Sequence, residues 1–296
     1  MIVQVLLLLL GLALIVFGAD WLVDGSSAIA RKAGISEFVI GLTIVGFGTS
    51  CPELVVSLTG ALQGNADISV GNVVGSNVFN TLLILGLTAV IAPVAVTRSN
   101  RRRDIPIALL VTFLFAAFVT TGTQITRVEG IVFLLVFAAY MFYCFKSDQG
   151  ADEAAEEKVR SLFMAILLVL AGLAGLIFGG QLFVNNATAI ARAVGVSDKF
   201  IAITLLAGGT SFPELATCIV AAAKKKDQLA LGNVLGSNVF NILLILGTSA
   251  VVTPLSTLAL IWLWTYTGHR DRIDRWEAIL MLLLFFGYYT WLFVKL

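Results

Sequence analysis

The sequence predicts an all-α polytopic membrane protein with ten transmembrane helices arranged as two inverted five-helix repeats. Three observations predict this fold class: an apolar composition, a succession of apolar runs long enough to cross a bilayer, and an internal duplication. Hydrophobic residues make up 59% of the 296-residue chain and charged residues only 12%, whereas soluble domains average roughly 45–50% and about 25%. This composition excludes a water-soluble globule. Because it extends along the whole chain, it also excludes a single anchor before a soluble domain.

The apolar runs are predicted to be helices because a helix needs about 20 residues to cross the hydrocarbon core. Backbone groups in lipid must be satisfied internally, and these runs lack the apolar and polar alternation of barrel strands. The ninth run is the shortest, with about 13 residues. The predicted spans are 2–23, 38–62, 68–93, 105–122, 129–145, 162–185, 200–223, 229–253, 255–267 and 277–294.

The basic residues of the loops predict the sidedness, since they accumulate on the cytoplasmic side. Fifteen of the 19 Lys and Arg residues follow odd-numbered spans. We therefore expect a multi-pass protein of the cell membrane (plasma or bacterial inner membrane), with both termini extracytoplasmic and the acidic linker 146–161 cytoplasmic. The net charge of +1 makes a nucleic-acid partner unexpected, because phosphate binding requires a broad basic surface. The lipid bilayer is the expected environment.

The two halves of the chain are copies of each other. A shift of 161 residues aligns 11–93 with 172–254 without a gap, and 38 of the 83 positions are identical. We divide the chain into a first repeat at 1–145, the linker at 146–161 and a second repeat at 162–296. Five spans per repeat is an odd number, so the second copy must enter the membrane from the opposite side. Inverted repeats of this kind are typical of secondary transporters, with the ion site where the two halves meet near the midplane.

Glu53 and Glu214 are the only acidic residues deep inside apolar runs. An ionisable side chain at a helix centre costs about 2.5–3.5 kcal/mol, so a functional site is the default explanation for each. Pro52 and Pro213 precede them, and proline opens a helix by removing an N–H donor and clashing with the carbonyl four residues back. A broken helix that offers free carbonyl groups beside a carboxylate can hold a cation.

A polar stripe crosses spans 3 and 8, because an Asn or Ser recurs at every fourth residue. For Asn72 and Asn233, ion contact and hydrogen bonding between helices remain equally good interpretations. The other four side chains are predicted to belong to the site: Ser76, Asn80, Ser237 and Asn241.

The available ligands favour calcium. Two carboxylates can supply four oxygens and the freed carbonyls of Thr49 and Thr210 two more, within the six to eight that Ca²⁺ takes. Mg²⁺ sheds its water reluctantly, and no Cys or His pair lies at the predicted site to favour zinc or copper. A cage of hard oxygens also suits several Na⁺ ions. One Ca²⁺ or a few Na⁺ would then compete for overlapping positions, which couples the two fluxes.

Two paired motifs, GTS-x-PE at 48–53 and 209–214 and GN-x-x-GSN-x-x-N at 71–80 and 232–241, resemble the α-repeats of the calcium/cation antiporter superfamily, and in particular those of prokaryotic sodium/calcium exchangers. The resemblance implies that Glu53 and Glu214 are the central calcium ligands, joined by the carbonyls of Thr49 and Thr210. It also implies a gating bundle formed by spans 1 and 6. The implied sodium sites lie around Ser50, Ser76, Ser211 and Ser237 and near the backbone at Gly46 and Ala207. Relatives that co-transport potassium carry Asp where this chain has Asn241, so potassium dependence is not expected.

Alternatives to a sodium/calcium antiporter are a proton-coupled exchanger, since protons compete with Ca²⁺ for paired carboxylates, a channel, and an intramembrane protease. The protease would need two Asp or a Ser/His pair within the spans, so we do not expect an enzyme. We expect no resident cofactor, with Ca²⁺ and Na⁺ as transported ions, and a monomer.

Overall fold

The computed structural model describes residues 1–121, 124–148, 150, 161–196, 201, 207–256, 272–273 and 283. Helix dominates these residues, as the sequence predicts, and strands are limited to two-residue segments. Residues 151–160 of the predicted linker lie outside the described residues. The same holds for most of the predicted ninth and tenth spans and for the beginning of the seventh.

The helices of the first repeat are Ile2–Ala33, Glu37–Ile40, Gly46–Thr49, Cys51–Leu62, Ala66–Val78, Leu85–Ile91, Ile105–Thr121 and Arg127–Lys146. Those described in the second repeat are Leu162–Ala193, Ala207–Gly209, Phe212–Ala223, Asp227–Phe240 and Gly247–Val252. Wider π-helical turns occupy Gly41–Val45, Phe79–Ile84, Asn100–Asp104 and Asn241–Leu246. The strands are Val94–Ala95, Gln124–Ile125, Leu255–Ser256 and Arg272–Ile273.

Five continuous helical stretches within the described residues are long and apolar enough to cross a membrane. A sixth candidate is the pair Glu37–Thr49 and Cys51–Leu62, which are bent by 48° at the break between them. The five are Ile2–Ala33, Ile68–Ile91, Arg127–Lys146, Leu162–Ala193 and Asp227–Val252. They coincide with several of the predicted spans and are long and apolar enough to be membrane spans, while the total of ten stays a prediction.

Two helices of 32 residues each, Ile2–Ala33 and Leu162–Ala193, extend beyond the predicted spans at 2–23 and 162–185. Hydropathy marks the part of a helix that matches lipid and does not mark where the helix ends. The first helix ends at Gly34, whose φ of 66° is left-handed and whose N–H donates to the carbonyls of Ala30 and Arg31. We refer to these two as the long helices.

The chain forms two compact units that differ from the sequence repeats. The first unit contains Met1–Pro52 and Asp148–Asn233, and the second contains Glu53–Ser147 and Val234–Leu296. Each unit therefore draws elements from both copies of the duplication.

In the first unit the long helices pack antiparallel through glycines. A Cβ atom placed on Gly18 would lie 2.8 Å from the carbonyl oxygen of Gly172, and one placed on Gly11 would lie 2.9 Å from that of Gly179. Glycines seven residues apart share one face of a helix, and the missing side chains let the backbones approach closely. Under the 161-residue shift Gly11 corresponds to Gly172 and Gly18 to Gly179. The contact between the long helices is therefore formed by equivalent glycines of the two repeats.

In the second unit the short strands pair reciprocally between the two repeats. Val94–Ala95 pairs antiparallel with Arg272–Ile273, and Gln124–Ile125 pairs antiparallel with Leu255–Ser256. The sequence predicts residues 255–256 as the beginning of the ninth span. The structure places these residues in a strand instead, since Pro254 interrupts the preceding helix.

Ion pairs in the first unit join the basic segment after Phe212–Ala223 to the N-terminal region. Lys224 Nζ lies 2.6 Å from a carboxylate oxygen of both Asp20 and Asp24, and Lys226 Nζ lies 2.8 Å from Glu37 Oε1. Burial lowers the pKa of Lys224, but its hydrogen bonds to the two carboxylates outweigh that effect, so the pKa is raised from its usual value.

We expect Lys224→Met to destabilise the protein by about 1 kcal/mol or less, because partly exposed ion pairs contribute little. A pKa that is raised in the folded state contributes stability that persists below the unfolded pKa and is lost above the folded one. The difference in melting temperature between Lys224→Met and wild type should therefore be constant at neutral pH. It should disappear as the pH rises through the raised pKa of Lys224 and shrink in high salt. Lys225→Met, at the exposed neighbouring lysine, is the matched control. An equal loss of stability in both variants would contradict the assignment.

Candidate functional site

The first candidate glutamate, Glu53, lies in the first turn of a helix that begins just after a break between two helices. The helix Gly46–Thr49 ends at Ser50, whose φ and ψ are −83° and 4°, and Cys51–Leu62 then begins with Glu53 in its first turn. Pro52 lies at this break, where the sequence predicts an opened helix. The N-terminal end of a helix carries partial positive charge, which stabilises the carboxylate of Glu53.

The second copy has the same local structure. Ala207–Gly209 ends before Thr210, and Ser211, with φ and ψ of −92° and 6°, precedes the helix Phe212–Ala223. Pro213 and Glu214 lie in the first turn of that helix. Both predicted breaks are therefore present, and each places one glutamate at a helix N-terminus.

Glu214 lies in the first unit and is only 1% exposed. Ser50 Oγ donates to Glu214 Oε1 at 3.0 Å, so a serine of the first copy contacts the glutamate of the second. Thr49 Oγ1 lies 3.1 Å from the Val45 carbonyl and 3.2 Å from Asn233 Oδ1. Thr49 and Ser50, two predicted ligands at the break in the first copy, therefore have described partners, and the partner of Ser50 is the Glu214 carboxylate.

Glu53 lies in the second unit and is also 1% exposed. Ser76 Oγ lies 3.5 Å from Glu53 Oε1, at the limit of a hydrogen bond. Asn72 Nδ2 donates to the Glu53 carbonyl at 3.1 Å and to Ser57 Oγ at 2.9 Å. Asn72 therefore holds two helices together, one of the two interpretations that the sequence left open.

Asn233 makes comparable contacts within the first unit. Its Nδ2 lies 3.3 Å from Cys218 Sγ and its Oδ1 lies near the Thr49 hydroxyl. Asn72 and Asn233, the two asparagines for which the sequence leaves two interpretations open, thus both have hydrogen-bonding partners within the protein.

A cluster of four asparagines, Asn77, Asn80, Asn238 and Asn241, lies in the second unit and joins the two repeats. Asn241 Nδ2 donates to Asn77 Oδ1 at 2.9 Å, and Asn80 Nδ2 donates to Asn238 Oδ1 at 3.2 Å. Asn80 and Asn241 are predicted site residues from the sequence, whereas Asn77 and Asn238 are not. The signal was available, since both lie in the identical segment GSNVFN of each copy.

Most predicted site residues are buried although they are polar. Thr210 is half-buried, and only the backbone of Ala207 is described. The buried ones are Gly46, Thr49, Ser50, Glu53, Ser76, Asn80, Ser211, Glu214, Ser237 and Asn241. Among the predicted site residues, Asn80 Oδ1, Thr210 Oγ1 and Asn241 Oδ1 have no hydrogen-bond partner among the described residues.

The chemistry of these residues fits a hard cation. Within the described part of the chain no three His, Cys, Asp or Glu side chains are grouped closely enough to hold a metal ion. A cation there would use a carboxylate together with hydroxyl, amide and backbone oxygens, the ligand types that calcium and other hard cations prefer. Glu53 and Ser76 with Asn80 and Asn241 supply such oxygens in the second unit, and Glu214 does so in the first.

Comparison with known proteins agrees with this chemistry. The model of a family described as "Sodium/calcium exchanger protein" matches residues 3–146 and 164–294. A "Putative antiporter CaxA" from Alkalimonas amylolytica is 39% identical over 318 residues, which cover 99% of each chain. The "Sodium/calcium exchanger MaX1" from Methanosarcina acetivorans is 32% identical over 98% of this chain and 99% of that protein.

The fold also resembles a solved structure. The sodium-calcium exchanger NCX_Mj, soaked without Na⁺ and Ca²⁺, superimposes with a TM-score of 0.85 at 32% identity, over 98% of this chain and 99% of the other. Its structure soaked with 2.5 mM Na⁺ and 0.1 mM Ca²⁺ gives a TM-score of 0.84 over 98% of both chains.

Proposed function

Because the chain belongs to the sodium/calcium exchanger protein family, we propose that it exchanges Na⁺ for Ca²⁺ across the cell membrane by alternating access. The family consists of transporters and not of enzymes, so the chain is a membrane antiporter of cations. The observation that carries the specific proposal is the pair of glutamates, Glu53 and Glu214, each 1% exposed at the N-terminus of a broken helix. Two buried carboxylates at equivalent repeat positions supply the charge that balances one Ca²⁺.

Glu53 and Glu214 are then the calcium ligands, assisted by the carbonyls of Thr49 and Thr210. Na⁺ is bound around the hydroxyls of Ser50, Ser76, Ser211 and Ser237 and near the backbone at Gly46 and Ala207. The amides of Asn80 and Asn241 also belong to the cation site. The hydrogen bond from Ser50 to Glu214 supports this assignment, since it places a hydroxyl oxygen beside the carboxylate.

The inverted arrangement is supported by the packing of the long helices. Ile2–Ala33 and Leu162–Ala193 correspond to each other under the repeat and lie antiparallel. If both cross the membrane, they cross it in opposite directions. A duplication whose copies run in opposite directions is an inverted repeat, the architecture of many secondary transporters.

The strand pairs support the number of spans. Val94–Ala95 follows the third predicted span and its partner Arg272–Ile273 follows the ninth, so both lie on one side of the membrane. Gln124–Ile125 follows the fourth span and its partner Leu255–Ser256 follows the eighth. Each strand pair therefore joins two loops that both follow odd-numbered spans or both follow even-numbered spans. Loops of the same parity lie on the same side of the membrane, as the ten-span topology requires.

Polar contacts support the same sidedness. Lys226, after the seventh predicted span, pairs with Glu37, after the first. Arg103, after the third span, donates to the Ser147 carbonyl at 2.9 Å, after the fifth. With the basic loops on the cytoplasmic side, both termini are extracytoplasmic and the linker 146–161 is cytoplasmic. We propose separately that the chain works as a monomer in the membrane.

The test is isotopic calcium uptake into proteoliposomes that contain the purified protein. We expect uptake that requires an outward sodium gradient and stops when internal sodium is replaced by choline, with protein-free liposomes as the control. Calcium uptake that does not depend on sodium and is driven by an imposed pH gradient would instead establish a proton-coupled exchanger. Saturable counterflow of labelled against unlabelled calcium would distinguish either exchanger from a channel.

A further inference from the structure

The hydrogen bonds of the asparagine cluster cross between the two repeats. Asn77 of the first copy accepts from Asn241 of the second at 2.9 Å. Asn238 of the second copy accepts from Asn80 of the first at 3.2 Å. Asn77 and Asn238 occupy equivalent positions, as do Asn80 and Asn241, so the two bonds are copies of one interaction.

Each acceptor is itself held in place. Asn77 Nδ2 donates to the Asn238 carbonyl at 3.2 Å, and Asn238 Nδ2 lies 2.8 Å from Thr81 Oγ1. The second copy has Ile242 at the position of Thr81, which explains why Asn77 uses a backbone carbonyl instead of a hydroxyl. These contacts turn the Oδ1 of Asn77 and of Asn238 towards the amide of the other repeat.

An amide has two different faces, because its NH₂ group donates and its carbonyl oxygen accepts. With an acceptor fixed in front of them, Asn80 and Asn241 must present NH₂ on that side and oxygen on the other. Both oxygens are buried and have no hydrogen-bond partner among the described residues. A buried amide oxygen left without a donor costs about 1–3 kcal/mol, and a cation removes that cost.

We propose that Asn77 and Asn238 are positioning residues that orient the amides of Asn80 and Asn241, so that two neutral carbonyl oxygens face the transported cation. The proposal rests on the proposed function, because it takes Asn80 and Asn241 as ligands. Neither Asn77 nor Asn238 touches the ion. Each acts through the asparagine of the opposite repeat.

The proposal predicts a specific dependence on the residue at position 241. Removing the Asn77 acceptor lets the Asn241 amide turn its NH₂ group towards the cation, which repels it. Outer-sphere partners of metal ligands typically account for about 10–100-fold in affinity, so Asn77→Ala should raise the calcium concentration for half-maximal uptake about tenfold. A carboxylate has two equivalent oxygens and needs no such orientation. In an Asn241→Asp background the same Asn77→Ala change should therefore have almost no effect.

The experiment is a pair of double-mutant cycles on purified protein, with calcium uptake and calcium-induced thermal stabilisation measured in parallel. Asn77→Ala is combined with Asn241→Asp, its partner, and with Asn80→Asp, which it does not contact in the described hydrogen bonds. We expect the first pair to be strongly non-additive and the second additive. The reciprocal change, Asn238→Ala, should be non-additive with Asn80→Asp only. If Asn77→Ala does not fold, Asn77→Ser removes the same acceptor with a smaller change in polarity.

An equal loss of calcium affinity on Asn77→Ala in the wild-type and Asn241→Asp backgrounds would overturn the proposal. A purely structural role of Asn77 would not depend on whether residue 241 is an amide or a carboxylate. Unchanged calcium affinity in every variant would overturn it as well. Failure of the proposed function is a different result: the wild-type protein would then show no sodium-driven uptake, whereas calcium-induced stabilisation would still report on the orientation of the amides.

Discussion

Replacing Glu53 or Glu214 by glutamine is expected to abolish sodium-driven calcium uptake while leaving the protein folded. Glutamine has nearly the same shape, so it keeps the packing of a side chain that is 1% exposed but removes one of the two negative charges. Two unit charges about 4 Å apart interact by about 4 kcal/mol at an effective dielectric constant near 20. A divalent cation that loses one of two carboxylates should therefore bind at least about a hundredfold more weakly.

The matched control is Glu129→Gln, the same chemical change in a transmembrane candidate helix. Glu129 forms a capping box with Thr126 at the beginning of Arg127–Lys146, and glutamine serves in that motif as well. Uptake should be near wild type in this variant. Wild-type uptake in Glu53→Gln or Glu214→Gln, with an unchanged melting temperature, would disprove the assignment of the calcium ligands.

A methyl group added to Gly179 is expected to separate the long helices and destabilise the protein. The new Cβ would lie 2.8 Å from the Gly11 carbonyl and 2.9 Å from the Ile15 amide nitrogen, closer than real Cβ atoms come to such atoms. Both contacts are backbone, so no side-chain rotation relieves them. Overpacking of this kind costs typically about 1–3 kcal/mol, which should lower the melting temperature in detergent by several degrees. Gly18→Ala, at the equivalent position, should behave alike.

The neighbouring Gly180 provides the control on the same helix. A Cβ placed there meets no described atom within 4 Å, and alanine is a better helix former than glycine by up to about 1 kcal/mol. Gly180→Ala should therefore be neutral or slightly stabilising. Equal melting temperatures for Gly179→Ala and Gly180→Ala would show that backbone contact between the long helices does not stabilise the fold.

The membrane class, the duplication and both breaks could be predicted from the sequence because each depends on local chemistry. Apolar runs partition into lipid whatever they pack against, and Pro52 and Pro213 interrupt a helix wherever they occur. Polar residues that recur in order at a fixed shift, as Glu53 and Glu214 do, identify the repeat without any structure. The helix ends were less accurate, since Gly34 stops the first helix by its left-handed conformation and not by hydropathy.

The tertiary structure decided which side chains meet. Nothing in the spacing of either copy indicates that Ser50 donates to Glu214, or that Asn77 and Asn238 bond to amides of the opposite repeat, because these partners are more than 150 residues apart in sequence. The strand at Leu255–Ser256 likewise exists only because Gln124–Ile125 lies beside it. Local propensity determines where a polar group lies along its helix, whereas the orientation of that group depends on the hydrogen-bond partners that packing brings to it.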